Sequence, residues 1–336
     1  MISNLKFEIS DSIMPSKLHA WLATARIANI PSVISNVWFG VALGAFHWGW
    51  QSDRVLLTQG TILAVAGVFL YIGGNFLNDW YDREWDERHR PERALPQGIF
   101  SPLSYLLRAV RFLGLGIILT AFIRPECIAT AVALTACIVI YTRWHKKARW
   151  AVISMGLCRA LLVVMGFLAT APDGFNAKTS HALRILSNPA TALFLGLHAT
   201  GLFCWITGLS LTARYESMAE PPALAKRFSR LLLLLPLPLM SAYWLKSTPT
   251  LALLGMLPFA GWLFLSLRKK LPVPVLVSAL LAGIPLVEFI AAFPLALALA
   301  KPGASLLGSP VAAITLILPA LAFIAGRRLQ QLAPAT

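Results

Sequence analysis

A cluster of acidic and amide side chains is the part of the sequence best suited to chemistry. Six of the 14 acidic residues lie within residues 79–92, directly after a long apolar segment. A helix continuing through this region would carry two amides and three carboxylates on one face, because residues three and four apart stack on a helix. These residues are Asn75, Asn78, Asp79, Asp82 and Asp86.

The crowding of like charges predicts a partner that neutralises them. Neighbouring carboxylates on one helical face repel one another. Mg²⁺ takes oxygen ligands and is commonly held by one or two carboxylates together with substrate phosphates. We therefore take as candidate metal ligands Asn78, Asp79, Asp82 and Asp86.

A simpler interpretation is that this segment is a solvated face of a loop. Nearby arginines would then balance the acids as surface ion pairs, which contribute little to stability. These arginines are Arg83, Arg88, Arg90 and Arg93. The shared helical face argues against it, because a random mixed loop seldom places its Asn and Asp residues on one side.

The composition places this cluster in a membrane protein. Of the 336 residues, 57% are hydrophobic and only 13% are charged, whereas soluble domains usually carry about 25% charged residues. This excludes a soluble globular protein. The net charge of +15 would suggest nucleic-acid binding in a soluble chain, but here it is first explained by membrane orientation.

The apolar segments predict an all-α bundle, since only helices or closed barrels satisfy the backbone within a membrane, and these runs lack the alternation of barrel strands. Ten segments have about the length that a spanning helix needs: 30–50, 55–78, 102–122, 126–142, 151–172, 188–212, 229–246, 250–268, 274–299 and 306–326. Three are short, so nine spans plus a re-entrant segment would also fit.

The Lys and Arg residues indicate how the bundle is oriented. With ten spans, most of the 29 basic residues fall on the side that also holds both termini, and cytoplasmic loops carry such an excess. We expect one domain over residues 1–336 with a cytoplasmic tail at 1–20. The protein would be an integral, multi-pass component of a bacterial inner membrane, with both termini in the cytoplasm.

At the acidic cluster the sequence resembles the UbiA superfamily of intramembrane prenyltransferases. That family's first motif, N-D-x-x-D-x-x-x-D, is present as Asn78, Asp79, Asp82 and Asp86. Further similar positions are Arg26 and Asn29 on the first helix, the tract Arg90, Pro91, Arg93, Pro96, Gly98 and Ser101, and Tyr141 with Lys146 after the fourth helix.

The resemblance implies Mg²⁺-dependent transfer of an isoprenyl group from a prenyl diphosphate to an acceptor, often aromatic, within the membrane. The implied catalytic residues are Asp79, Asp82, Asp86 and Glu216. The implied substrate-binding residues are Asn78, Arg26, Asn29, Lys146, Arg159, Arg214 and Arg90. Arginine suits two-point contact with phosphate oxygens. The partners would be the diphosphate, a small acceptor that is aromatic or lipid-soluble, and membrane lipids, without nucleic acid.

The sequence departs from the family at the second acidic motif. The corresponding stretch contains no aspartate, and only Glu216 and Glu220 remain, beside Arg214. Glu216 could replace an aspartate, and Arg214 could contact a phosphate directly. Three interpretations stay open: an active prenyltransferase with an altered second site, a divergent UbiA-like protein such as those called EboC that handles a secondary metabolite, and a non-catalytic isoprenoid- or metabolite-binding protein.

Arg159 and Glu288 lie within predicted spans, where ionisable groups are functional candidates. Arg159 could reach the phosphate site, or it could extend to the membrane surface. Glu288 has no charged neighbour in the sequence and is interpreted as a protonated or paired structural group. His198 and Asn36 could face the bundle interior, although a lone polar residue there more often makes one interhelical hydrogen bond.

Overall fold

The computed structural model describes residues 17–49, 52–172, 187–215, 222–268, 271–300 and 309–332. Glu216 and Glu220 lie outside these residues. Over the described ranges the chain is helical and forms no β-strand. The α-helices are α1 (Lys17–Thr24), α2 (Ile30–Trp48), α3 (Asp53–His89), α4 (Pro102–Ala121), α5 (Pro125–Trp144), α6 (Val152–Ala169), α7 (Pro189–Arg214), α8 (Ala223–Leu234), α9 (Pro236–Ser247), α10 (Pro249–Arg268), α11 (Val273–Ala282), α12 (Ile284–Leu299) and α13 (Pro310–Leu329).

Within the described ranges, ten helical segments are long and apolar enough to cross a membrane, which confirms the all-α, multi-pass class. Two of them, Ala223–Ser247 and Val273–Leu299, consist of two helices each. The first is interrupted at Leu235 before Pro236, and the second at Gly283 before Pro285. Proline lacks the backbone N–H that a continuous helix requires, but it fits the first turn of a new one.

The helix α3 extends well beyond a single membrane crossing. Its 37 residues correspond to about 55 Å at 1.5 Å per residue, against a hydrocarbon thickness of about 30 Å. Ser52 caps its first turn by accepting a hydrogen bond from the Val55 backbone N–H at 3.3 Å. The helix continues through Asp86 to His89, as the acidic spacing predicts, so its last turns project at one face of the bundle.

The helix α2 is central, and it packs against α3, α6, α12 and α13. Glycines permit its close approach to α6: a Cβ at Gly40 would collide with the Val163 carbonyl, and one at Gly166 with the Val37 carbonyl. Small residues at helix crossings are typical of membrane bundles, because they let backbones approach closely. This contact sets the spacing between the two helices that carry Asn36 and Arg159.

Candidate active site

The acidic face predicted from the sequence is buried against the bundle. On α3, the two amides and three carboxylates are each at most 9% exposed: Asn75, Asn78, Asp79, Asp82 and Asp86. Glu84, on the opposite side of the same helix, has a side chain that is 81% exposed. The acids are therefore part of an interior site and do not form a solvated loop face.

Basic side chains from three other segments hold the carboxylates. Asp79 Oδ1 lies 3.1 Å from Arg26 Nη2 and 3.4 Å from Arg93 Nη1. Asp86 Oδ2 lies 2.9 Å from the same Arg93 nitrogen. Arg93 therefore bridges two of the three acids, and the like-charge repulsion expected from their spacing is offset by this cation.

The third carboxylate is held by the segment between α5 and α6. Asp82 Oδ1 lies 3.0 Å from Lys146 Nζ, and its Oδ2 lies 3.3 Å from His145 Nε2. The amide of Asn78 donates to Asp82 Oδ2 at 3.3 Å. Lys146 Nζ also lies 3.7 Å from the centre of the Trp85 ring, a cation–π contact that fixes the lysine over α3.

Arg26 occupies an unusual backbone conformation immediately before α2. Its φ of 47° lies in the left-handed region, where it is the single non-glycine residue of the described chain, and such conformations concentrate at functional sites. Its Nη1 donates to Asn75 Oδ1 at 2.8 Å. Burial on its own would lower the pKa of Arg26, but the Asp79 carboxylate and weaker neighbouring charges raise it above the ordinary value, so Arg26 is a permanent cation.

A tight turn after α3 brings Arg93 back over the acidic face. The Arg90 N–H donates to the Asp86 carbonyl at 2.8 Å, and the Arg93 N–H donates to the Arg90 carbonyl at 3.1 Å. Gly98 follows with a φ of 69°, in the region that favours glycine. Ser101 then caps α4 by accepting from the Ser104 N–H at 3.2 Å. The proline- and glycine-containing tract thus has a positioning role.

Arg214, at the end of α7, supports the segment that carries Lys146. Its Nη1 donates to the carbonyls of His145 and, at 3.1 Å, Ala148, and its Nη2 donates to the Lys146 carbonyl at 3.4 Å. These carbonyls follow the last turn of α5, where helix carbonyls lack intrahelical partners. Arg214 therefore fixes the backbone from which Lys146 and His145 reach Asp82.

A cavity of about 370 Å³ adjoins these groups and extends into the bundle. One end is polar, with the acids and bases described above. The other end is lined by aliphatic residues of several helices, among them Leu134, Ile138, Leu162, Ile206 and Ile284. The cavity therefore suits a ligand with a charged group at one end and an apolar chain at the other.

Most of the candidate site residues identified from the sequence line the cavity. The lining includes Arg26, Asn29, Asn78, Asp82, Asp86, Arg90, Lys146, Arg159 and Arg214. Asp79 does not line it and lies behind, between Arg26 and Arg93. Glu216, which follows Arg214 directly, is outside the described residues.

The oxygen donors fit a hard cation only in part as they stand. Among the residues that the structure describes, no three His, Cys, Asp or Glu side chains converge on a common point, because basic residues already hold the carboxylates. Two buried oxygens, Asn78 Oδ1 and Asp86 Oδ1, nevertheless lack a hydrogen-bond partner. Unpartnered buried oxygens are costly, and oxygen is the donor that Mg²⁺ prefers, so these two atoms favour a bound cation.

Sequence reasoning did not assign site roles to several residues that the fold brings here. From the sequence, Arg93 is expected only as a surface ion-pair partner or as part of a similar tract, and Asn75 only as part of the helical face, yet both contact the buried ionic network. His145 precedes Lys146 in a basic run, and this run is the only sequence feature that points to His145 as a site residue. Tyr71, whose hydroxyl donates to the Arg26 carbonyl at 3.2 Å, had no signal.

Comparison with known proteins gives one consistent result. The model of the UbiA prenyltransferase family matches residues 33–289. Over 132 residues the chain is 32% identical to the digeranylgeranylglyceryl phosphate synthase of Methanothrix thermoacetophila, covering 39% of this chain and 48% of the relative. The enzyme of the same name from Methanopyrus kandleri is 30% identical over 131 residues, covering 39% and 45%. The chain thus spans about half the length of the curated relatives it matches.

A solved structure matches over nearly the whole chain. The UbiA homologue from Aeropyrum pernix K1, in its apo form, is 15% identical, with a TM-score of 0.53, and the match covers 89% of this chain and 98% of that one. At this identity the likeness concerns the fold, which is the same kind of helical bundle.

Proposed function

Because the chain belongs to the UbiA prenyltransferase family, we propose that it transfers an isoprenyl group from a prenyl diphosphate to an acceptor within the membrane, with Mg²⁺ as cofactor. The observation that carries this proposal is the two-ended cavity, which is ionic at the surface of the bundle and aliphatic inside. A prenyl diphosphate has the same two-ended chemistry.

In the proposed reaction the ionic end receives the diphosphate. Mg²⁺ held by Asn78, Asp82 and Asp86 would stabilise the negative charge of the departing diphosphate. Asp79 would act from behind by holding Arg26 and Arg93 in place. The carbon–oxygen bond of the allylic carbon breaks, and its electron pair leaves with the diphosphate. The acceptor supplies the electron pair for the new bond and loses a proton.

The remaining cations would bind the phosphate oxygens. Lys146 and Arg93 now hold carboxylates, and binding of Mg²⁺ to those carboxylates would free both side chains for the diphosphate. Arg90 lines the same end of the cavity. Asn29 lies one helical turn from Arg26, and its backbone N–H donates to the Arg26 carbonyl at 3.0 Å, which supports a role at the same wall.

The proposal also covers the second acidic motif, whose composition differs from that of the family. Glu216 would supply the carboxylate that an aspartate supplies in the family. Arg214 would act mainly through the α5–α6 segment, since its donors are engaged by three carbonyls of that segment. We propose further that residues 1–336 form one domain in a bacterial inner membrane, with the tail 1–20 and both termini in the cytoplasm, where most basic residues would lie.

A turnover assay tests the proposed function. Protein in lipid nanodiscs is incubated with labelled geranylgeranyl diphosphate, Mg²⁺ and a membrane lipid extract. The relatives are named as synthases of digeranylgeranylglyceryl phosphate, which makes geranylgeranyl diphosphate the first donor to test. The proposal predicts release of diphosphate together with a labelled lipid product. Binding without release would instead support the non-catalytic interpretation.

A further inference from the structure

A second polar group lies deeper in the bundle than the acidic face, in the wall of the same cavity. Arg159 of α6 lines this cavity and is 7% exposed. Its Nη1 donates to Ser32 Oγ at 3.1 Å and to Asn36 Oδ1 at 2.8 Å. Ser32 and Asn36 lie two and six residues beyond Ile30, the first residue of α2, so Nη1 lies about 3 to 9 Å further into the bundle than the start of α2.

A chain of hydrogen bonds across three helices fixes Arg159. Asn36 accepts from Arg159 with its oxygen and donates from its nitrogen to Glu288 Oε1 on α12, while Ser35 Oγ donates to Glu288 Oε2. Because an amide has distinct donor and acceptor ends, Glu288 holds Asn36 with its oxygen towards Arg159. Glu288 is fully buried, and its two carboxyl oxygens anchor Ser35 and Asn36 inside the bundle.

One edge of the Arg159 guanidinium remains available to the cavity. Both of its hydrogen bonds within the described chain use Nη1, and Nη2 and Nε are not among the buried atoms without partners. The guanidinium carbon lies 5.7 Å from the centre of the Tyr71 ring, which restricts the plane of the group. A planar pair of N–H donors matches two oxygens of a carboxylate or phosphate.

The charge of Arg159 is not used by the ionic end of the cavity. There the three acids are paired with Arg26, Arg93 and Lys146. An arginine facing a cavity at membrane depth is costly unless it has a function or a partner, and the one available edge of Arg159 faces the space next to the aliphatic lining.

From this geometry we infer that Arg159 binds an anionic group, a carboxylate or a phosphate, of the acceptor molecule, and that Glu288 and Asn36 are positioning residues for it. The inference rests on the proposed function, since it assigns the inner part of the cavity to the second substrate and the ionic end to the diphosphate. It makes Arg159 a specificity-determining residue: an acceptor without the anionic group would bind poorly.

Matched pairs of probes test this inference and separate the two sources of the anion. Isothermal titration in nanodiscs compares 4-hydroxybenzoate with 4-hydroxybenzamide, and hexadecylglycerol phosphate with hexadecylglycerol, with empty nanodiscs as the control for partitioning. At least one anionic probe is expected to bind the wild type about 10- to 100-fold more tightly than its neutral partner, as for a hydrogen bond to a charged group. The pair that shows it identifies carboxylate or phosphate.

Variants then assign the preference to Arg159. Arg159→Gln is expected to bind both members of the pair equally, while Mg²⁺-dependent binding of geranylgeranyl diphosphate changes by less than about twofold, because the diphosphate contacts other cations. Arg159→Lys, which keeps the charge and loses the planar fork, is expected to retain part of the preference. The double variant Arg159→Gln with Glu288→Gln removes both ionisable groups together and replaces Arg159→Gln if that single variant fails to fold.

Three results would overturn the inference: no preference for either anionic probe in the wild type, a preference that survives in the Arg159→Gln protein or its double-variant replacement, or loss of diphosphate binding in the same protein. The last would place Arg159 at the donor instead. Failure of the proposed function would give a different result from failure of this inference. In that case the wild type would not bind geranylgeranyl diphosphate with Mg²⁺, whatever its response to the acceptor probes.

Discussion

At the scale of single residues, the ionic end of the cavity consists of pairs of acidic and basic side chains whose partners a ligand could replace. Asp82 and Asp86 are held by Lys146 and Arg93, cations that a diphosphate could also use, and both acids line the cavity, where a metal could take the place of those cations. Without such partners, buried charges of one sign would be strongly destabilising. The site is therefore kept assembled by its own ion pairs, and substrate and metal together would replace them.

Arg214 gives a prediction that separates support from direct contact. Because its donors hold the carbonyls around Lys146, Arg214→Ala is expected to weaken diphosphate binding about tenfold, the lower end for a charged hydrogen bond. Lys146→Ala removes the contact that Arg214 supports. The double variant should therefore bind within about twofold of Lys146→Ala alone, since coupled residues are non-additive.

The measurement is a double-mutant cycle of diphosphate affinity by equilibrium binding in nanodiscs. Arg143→Ala, at the exposed end of α5, serves as the control for loss of a nearby positive charge. If the single effects of Arg214→Ala and Lys146→Ala multiply fully, Arg214 contacts the phosphate itself and the supporting role is wrong.

The sequence predicted the α3 part of the site well and the rest incompletely. The face of Asn78, Asp82 and Asp86 follows from helical periodicity, which is a local property. The partners His145 and Arg93 depend on how two connecting segments fold back, which no periodicity encodes. For Arg214, the residue type predicted a phosphate contact, whereas the guanidinium meets backbone carbonyls that only the folded chain brings near.

At the scale of helices, the close contact of α2 with α6 connects the two ends of the site. The α2 helix starts just after Arg26 and carries Asn36, and α6 carries Arg159. Glycines at this crossing bring the backbones together, so Asn36 can bond to Arg159 directly. The sequence predicted both spans, but it did not predict the helix breaks at Leu235 and Gly283. A proline that starts a new helix cannot be distinguished in the sequence from a proline inside a continuous one, and α10, α12 and α13 each contain an internal proline.

Gly166 provides the stability test of this contact. An alanine there would place its Cβ against the backbone of α2, and overpacking of this kind typically costs about 1–3 kcal/mol. Gly166→Ala is therefore expected to unfold at lower temperature or lower denaturant concentration. Gly261→Ala in α10 is the matched control, because its Cβ meets nothing within 4 Å. Equal stability of the two variants would show that the α2–α6 spacing is not set by Gly166.

At the scale of the whole molecule, charge is distributed unevenly between the two ends of the bundle. The net charge of +15 reflects basic loops at the end that carries the acidic face, together with the six basic residues lining the cavity: Arg26, Arg90, Arg93, Lys146, Arg159 and Arg214. The lining itself contributes two carboxylates, Asp82 and Asp86. An excess of positive charge at one opening would both orient the chain in the proposed way and attract the proposed anionic substrate.

The orientation predicts where reporter domains are active. A green fluorescent protein fused after α13 should fluoresce, and alkaline phosphatase at the same point should be inactive, because ten spans from the proposed cytoplasmic N-terminus would return the chain to the cytoplasm. Alkaline phosphatase fused after α12 is the matched control and should be active. Activity after α13 would mean that the span count or the orientation is wrong.

Binding of geranylgeranyl diphosphate with and without Mg²⁺ tests the central claim most directly. For the wild type, removing Mg²⁺ is expected to weaken binding at least about tenfold, as for loss of a charged interaction. Asp82→Asn should bind weakly and without Mg²⁺ dependence, whereas Glu84→Gln, whose side chain is 81% exposed, should resemble the wild type. Wild-type binding that is the same with and without Mg²⁺, or an Asp82→Asn variant that keeps the full Mg²⁺ effect, would contradict the assignment of this acidic face as a metal–diphosphate site.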